Sequence, residues 1–362
     1  MKIVIFGLTV SSSWGNGHAT LWRGLIRALD SLGHRVIFFE RDVPYYAAHR
    51  DLTELPGGLL VLYSDWRETM TEAHHQLSDA DVAMVTSYCP DALAATSLVL
   101  DSPVRVRSFY DLDSGVTLDR LRAGQPVDYI GERGLADFDL VLSYNGGRAI
   151  NELKSRLGAR HVAPLYGHVD PSVHHPVPPD DRYRSDLSYL GTYSDDRQRE
   201  LEMLFIEPAR RQPFKKFVIG GSQYPGGFPW SDNIYFIPHV PPGEHAAFYS
   251  SSRLTLNVTR RPMAETGYCP SGRLFEAAAC GVPLLTDAWE GLDYFFEPGV
   301  EILVARSSGE VENAMAMSDE AIARVARAGR ERALSAHTAR HRALQLESLL
   351  EAATALPVTT QS

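Results

Sequence analysis

Arg273 and Glu276 stand three apart in residues 267–287, GYCPSGRLFEAAACGVPLLTD. The run reads as a polar turn, a helix, a glycine stop, a buried strand and an acidic loop. Ser271 is placed to cap the helix, and Gly281 and Pro283 end it. The first-turn amides, with Gly272 and Arg273, suit an anion such as a diphosphate. Glu276 suits a vicinal diol. A well-capped helix carrying a surface ion pair fits the same letters.

Four other clusters follow apolar runs. Residues 9–19, TVSSSWGNGHA, offer Trp14, Asn16, Gly17 and His18 at the start of a helix, although an ordinary Gly-rich βα loop has this composition too. The spacing is not that of the GxGxxG dinucleotide fingerprint. Residues 86–91, TSYCPD, present Tyr88 for stacking on a sugar face, or merely a turn set by Pro90 and Asp91. Asp111 and Asp113 are spaced to accept from hydroxyls, and Asp113 to act as a base or as a helix cap. Two carboxylates are few ligands for Mg²⁺. Gly191, Thr192 and Tyr193 precede Arg197. Asn257 precedes Arg260 and Arg261, two cations that need an anion or a carboxylate partner.

These clusters require elements to hold them. Residues 3–7, 36–40, 59–63, 82–87, 104–110 and 140–143 are short apolar runs expected to be buried strands, with helical patterns at 21–32 and 149–157 between them. A second series follows at 187–191, 217–220, 234–237, 254–258, 282–286 and 302–304. Such alternation calls for two mostly parallel sheets covered on both faces. Residues 166–185, with four prolines and no periodicity, read as the linker. The stretch 320–352 reads as helix broken near 335–337, and 356–362 as a frayed end. In open α/β sheets ligands sit beyond the carboxyl ends of the strands, where every cluster above falls.

Composition narrows the classes. The 362 residues suffice for two domains, and 44% hydrophobic with 22% charged residues is ordinary for a soluble globular chain. No apolar run reaches the ~20 residues that span a bilayer, so no stable membrane insertion is expected. MKIVIFGL reads as a first strand rather than a leader. Three unevenly spaced cysteines argue against a disulfide framework and for a cytoplasmic location, with Cys280 in the core. A net charge of −10 disfavours nucleic acid as a partner. No metal site is expected. His337 and His341 are four apart, but Thr338 stands where a metalloprotease would need Glu, and His174–His175 fall in the linker and read as solvated.

SGRLFEAAACG, LNVTR at 256–260 and GTYSDDR at 191–197 resemble, in order, segments of retaining nucleotide-sugar glycosyltransferases of GT-B architecture, nearest to the CgeB-like group. SSSWGNGHATLWR and FYDLDSGVTL extend the likeness over the N-terminal half. The resemblance implies an α/β fold of two doubly wound Rossmann-like domains facing an inter-domain cleft. Residues 1–170 would be the acceptor side, with helix 336–352 packing back on it, and 171–335 the donor side. It implies a nucleotide diphosphate sugar as co-substrate, no cofactor, no metal, and a small-molecule or glycan acceptor. By the same likeness Gly191, Thr192, Tyr193, Tyr268, Ser271, Gly272, Arg273 and Glu276 would bind donor. Arg197, Arg260, Asp113 and His18 would carry catalysis, and Trp14, Asn16, Gly17, Tyr88 and Asp111 would line the acceptor side. One departure is plain. Family 4 enzymes of this type carry a glutamate eight positions before the one matching Glu276, and this chain has Tyr268 there, with Glu265 the nearest substitute. A sugar-nucleotide epimerase and a non-catalytic sugar-nucleotide-binding or spore-associated protein are the competing readings.

Overall fold

Near-continuous runs such as Ile3–Phe6 leave no polar face for solvent, so their strands must be covered on both sides. In the computed structural model, described for residues 1–355, two all-parallel sheets satisfy this demand. The chain divides into two compact units. The first holds Met1–Ser12, His18–Tyr166 and the described residues from Ala339; the second holds Ser13–Gly17 and Gly167–Thr338. The frayed end expected at 356–362 lies outside the described residues.

The first unit's strands are β1 (Lys2–Gly7), β2 (Arg35–Arg41), β3 (Gly58–Tyr63), β4 (Val82–Thr86), β5 (Val106–Asp111), β6 (Leu140–Ser143) and β7 (Val162–Pro164). Their spatial order is β3-β2-β1-β4-β5-β6-β7. Six of these match the runs anticipated from sequence within a residue or two. β7 is an addition, three residues paired to β6 through Val141 and Val162. The core packs Phe6, Phe39, Phe109, Phe138 and Val141 on one side of the sheet. The helix His18–Ser31 buries Trp22, Leu25, Ile26 and Leu29. The helix Ala339–Thr354 lies against it, where His34 Nε2 meets Glu347 at 3.0 Å and Gln345 donates to the Pro164 carbonyl at 2.9 Å.

The second unit contains β8 (Leu187–Leu190), β9 (Phe217–Gly220), β10 (Ile234–Ile237), β11 (Thr255–Asn257), β12 (Leu284–Thr286) and β13 (Leu303–Val304), ordered β10-β9-β8-β11-β12-β13. All six were anticipated. Ser318 caps the helix Asp319–Ala336 by accepting from Ala321 N, and this helix stops at His337, two residues before the last one starts. In both sheets the strand order reverses at the middle, between β1 and β4 and between β8 and β11. A crevice at the carboxyl ends opens at such a reversal, which is where α/β folds take ligands. No helix among the described residues is long and apolar enough to cross a membrane.

Candidate functional site

In the first unit the reversal brings together the loops after β1 and β4. The β1 loop is shaped by a buried carboxylate. Glu40, at the end of β2, accepts from the backbone of Val10 and Ser11 and from the hydroxyls of Thr9 and Ser11. Arg23 clamps the same loop by donating to the Val10 carbonyl at 2.8 Å while pairing with Asp51 at 2.6 Å. Glu40 and Arg23 were not singled out from sequence, because an acid ending one strand gives no sign that its partners lie thirty residues back.

This anchored loop delivers His18 to the first turn of its helix. His18 Nε2 lies 3.5 Å from Asp113 Oδ2. Asp113 occupies the N-cap position of the helix Ser114–Arg122, yet its side chain makes no capping bond. The capping alternative therefore fails, and the carboxylate faces the imidazole instead. Tyr88 completes the corner, its ring 6.2 Å from His18 and 4.9 Å from Tyr129. Its φ of 63° is a left-handed conformation that non-glycine residues seldom take, and such strain concentrates at working sites.

Asp111 does not join them at the surface. It is wholly buried, with one oxygen accepting from Asp113 N at 3.1 Å and the other without a partner. Burial raises its carboxyl to about 7, against the pull of the Thr117 hydroxyl and the Asp113 amide. The acceptor-side role expected of Asp111 therefore fails, because its carboxylate has no exposed surface. The residues Trp14, Asn16 and Gly17, assigned to the acceptor side, cluster instead with the second unit, where the Trp14 ring lies 4.7 Å from His239.

In the second unit the reversal joins the loops after β8 and β11. Gly191 ends β8's run and abuts Gly221 so closely that a Cβ on Gly221 would stand 2.0 Å from the Gly191 carbonyl. Tyr224 hydroxyl donates to that same carbonyl at 3.0 Å. Thr192 accepts from Arg197 Nη1 at 3.1 Å, and the Tyr193 amide donates to Ser222 at 2.9 Å. The loop is thereby fixed from both sides.

Three guanidinium groups lie near enough here for the charges of Arg260 and Arg273 to act on Arg197. Burial lowers the Arg197 pKa, and the positive charges of Arg273 and Arg260 lower it further. Its Nε is buried without a hydrogen-bond partner. Arg260 is tied to Asp196 at 2.9 Å, the counter-charge of the group. Arg273, half-buried, has no hydrogen bond or ion pair among the described residues. The Arg260 loop is held by a second buried acid, Asp287, which accepts from Thr259 N and Oγ1 at 3.0 Å each and from Thr286 Oγ1 at 3.1 Å. Burial raises Asp287 to about 6 despite those donors. Asn257 is buried in β11 and donates to Thr286, so its NVT triplet is not open to modification.

The helix Gly272–Ala279 begins as the sequence suggests, with Ser271 at its N-cap, but Ser271 makes no side-chain capping bond. Its inner face buries Leu274, Phe275, Ala277 and Ala278, and Cys280 is in the core as anticipated. Tyr268, with φ 46°, sets its ring over Gly291, where an added Cβ would come within 2.6 Å. Glu265 is exposed and pairs with Arg261, four residues before it.

Glu276 turns inward rather than lying on an open helix face. Its Oε2 is 3.7 Å from His245 Nδ1 and 3.9 Å from His174 Nε2. Burial opposes its ionisation, but His174, His245 and Arg273 together hold the carboxyl down at about 2. His174 was expected to be solvated and is instead 3% exposed. Burial lowers its pKa, against the pull of the Glu276 carboxylate. A histidine pair in a proline-rich stretch reads as surface, and only the fold brings residue 174 against residue 276.

Residues 197–348 match a family model described as glycosyl transferase-like. Across 97% of this chain and 98% of that one, the fold matches sucrose-phosphate synthase from Thermosynechococcus elongatus, at 15% identity and a TM-score of 0.71. HepE from Anabaena, in complex with UDP and glucose, matches over 97% and 100% of the two chains, at 12% identity and a TM-score of 0.68. An alpha-glucosyltransferase in complex with UDP and a 13-mer DNA matches over 97% and 99%, at 11% identity and a TM-score of 0.67. A comparison with curated protein sequences returned no match. The solved structures establish the fold, two Rossmann-like α/β domains of GT-B type. The family match gives the class of enzyme, a glycosyltransferase.

Proposed function

We propose that the protein transfers a sugar from a nucleotide diphosphate sugar to a hydroxyl-bearing acceptor. The observation that carries this reading is the meeting of Arg197, Arg260 and Arg273 at the strand-order reversal of the second unit, with Asp196 as the carboxylate paired to Arg260. Three cations against two carboxylates, Asp196 and Glu276, leave an excess of positive charge that a diphosphate would neutralise. Preorganised donors of this kind stabilise the charge that builds on a departing phosphate, each worth about 3 kcal/mol. The ribose hydroxyls would be held by the Glu276 oxygen turned away from the imidazoles. Tyr268 and the fixed Gly191–Tyr193 turn would frame the rest of the donor.

With guanidinium groups supplying the charge, the chemistry needs no divalent ion at the diphosphate. The leaving phosphate oxygen takes the acceptor proton on the same face, and the sugar keeps its configuration. The His18–Asp113 pair favours a second outcome. An imidazole backed by a carboxylate is a general base, and a base on the acceptor supports direct displacement with inversion. Product anomer analysis by NMR separates the two.

The acceptor binds the first unit, beside Tyr88 and His18, and is a small molecule or a glycan. The net charge of −10 speaks against nucleic acid, although one protein of similar fold is described in complex with DNA. SGRLFEAAACG supports a CgeB-like assignment, and the three buried free cysteines suit a reducing cytoplasm. Incubation with UDP-, dTDP- and GDP-sugars tests the reading. Transfer or slow donor hydrolysis, unaltered by added Mg²⁺, upholds it. A C2-epimerised donor, or binding without turnover, replaces it with epimerase or binding protein.

A further inference from the structure

We propose that His174, His245 and Glu276 form a buried site for one divalent transition cation, zinc foremost, inside the second unit. One ligand atom from each lies within 4.8 Å of the other two. Four-coordinate zinc, with bonds of about 2.0–2.1 Å to nitrogen and oxygen, spaces its ligands roughly 3.3 Å apart. The separations of 3.7 and 3.9 Å to Glu276 Oε2 need about half an ångström of closure, and the imidazole nitrogens, within 4.8 Å of each other, need up to about 1.5 Å.

The hydrogen bonds are those of a site that lacks its centre. His174 is almost wholly buried, and neither of its ring nitrogens has a partner. Two unmade hydrogen bonds on one buried ring are costly unless something else occupies the space. His245 is more telling. Its Nε2 lies 3.1 Å from the Val240 carbonyl, which can only accept, so Nε2 carries the proton. That leaves Nδ1 facing Glu276 Oε2 at 3.7 Å without a hydrogen bond. A cation between the two would satisfy both the ring nitrogen and the carboxylate oxygen. A backbone carbonyl that fixes the imidazole tautomer is the usual support of a metal-bound histidine. The Tyr249 hydroxyl is also buried and without a partner, and the Glu276 charge acts on it.

Two imidazoles and one carboxylate are a donor set for zinc rather than for magnesium or calcium, which take oxygen ligands. The three residues come from separate segments: the irregular stretch after Gly167, the first residue of the helix His245–Ser250, and the helix Gly272–Ala279. A cation there would lock the donor-side helix to the other two. The site shares Glu276 with the proposed donor site but uses no residue of the arginine group.

The test is metal analysis of the purified full-length chain, followed by chelation and titration with zinc and cobalt in the absence of nucleotide. The expected result is about one zinc per chain and visible absorption from four-coordinate cobalt. His174→Gln and His245→Gln should each weaken zinc at least tenfold, and His175→Gln, at an exposed neighbouring position, should not. If the ligand variants do not fold, the cobalt spectrum of the unaltered chain decides. Absence of zinc binding below about 10 µM overturns the proposal. So does zinc retained by the double variant, or an NMR finding that His245 is a metal-free imidazolium. Arg197→Ala should keep zinc while losing nucleotide, so failure of the metal site and failure of the donor assignment give different results.

Discussion

His18 Nε2 stands 3.5 Å from Asp113 Oδ2, although 94 positions of chain separate the two residues. Each sits in the first turn region of a helix that follows a parallel strand, and the sheet order brings those strands close. If the pair relays the acceptor proton, Asp113→Asn lowers kcat by roughly 10²–10⁴ while leaving the nucleotide Kd unchanged. Steady-state rates and calorimetric titration measure the two quantities. An unchanged kcat would assign the pair to structure alone.

The arginine group should show opposite signs in binding and in stability. Arg197, Arg260 and Arg273 repel one another in the free protein. Arg273→Ala therefore raises the urea midpoint of the unliganded chain by an amount worth up to about 1 kcal/mol, as relief of functional strain does elsewhere. The same change weakens UDP binding by at least tenfold, with a smaller dependence on salt. A variant less stable in both respects would show that Arg273 is a structural residue.

Asp111 makes stability depend on pH in a stated direction. Burial raises its folded pKa from 3.8 to about 7, so the native state holds a proton that the unfolded chain gives up near pH 4. Its contribution is fully present below about pH 4 and is lost as pH climbs to about 7, by up to about 4 kcal/mol. Asp111→Asn should flatten that slope and exceed the parent in stability at pH 8. Urea unfolding at pH 4.5, 6 and 8 reads this directly. A parent whose stability rises over that interval would contradict the assignment, provided the variant's curve rises in parallel.

Gly291→Ala should be among the more damaging single-methyl changes in the chain. Its φ of 85° disfavours any side chain, and the new Cβ would strike the Tyr268 ring. A loss of about 1–3 kcal/mol is expected. If Tyr268 frames the donor, nucleotide affinity falls with it, and a stability loss without an affinity loss would remove Tyr268 from the site.

The strands were legible because parallel sheets demand uninterrupted apolar runs, and Val36–Phe39 or Phe217–Ile219 admit no other burial pattern. Val162–Pro164 escaped notice because three residues ending in proline make no run at all. The positions of Arg197, Arg260 and Arg273 after strands were readable, but their meeting was not, since strand order is a long-range property. Glu40 and Asp287 were missed for a related reason. Both are strand-end acids whose partners are hydroxyls and amides of other loops, and nothing local distinguishes them from surface charge. His174 and Asp111 were misjudged by polarity, which predicts exposure only when the chain provides no buried neighbour for the group.

All three cysteines are sealed from solvent, Cys89 in the first unit and Cys269 and Cys280 in the second. Burial pushes the Cys89 and Cys280 thiols up to about 12, and Cys269 higher still, so none ionises at neutral pH while the fold is closed. A thiol-specific dye consequently stays silent until a unit breathes. Mass-resolved labelling then reports which half opens first, with no engineered probe.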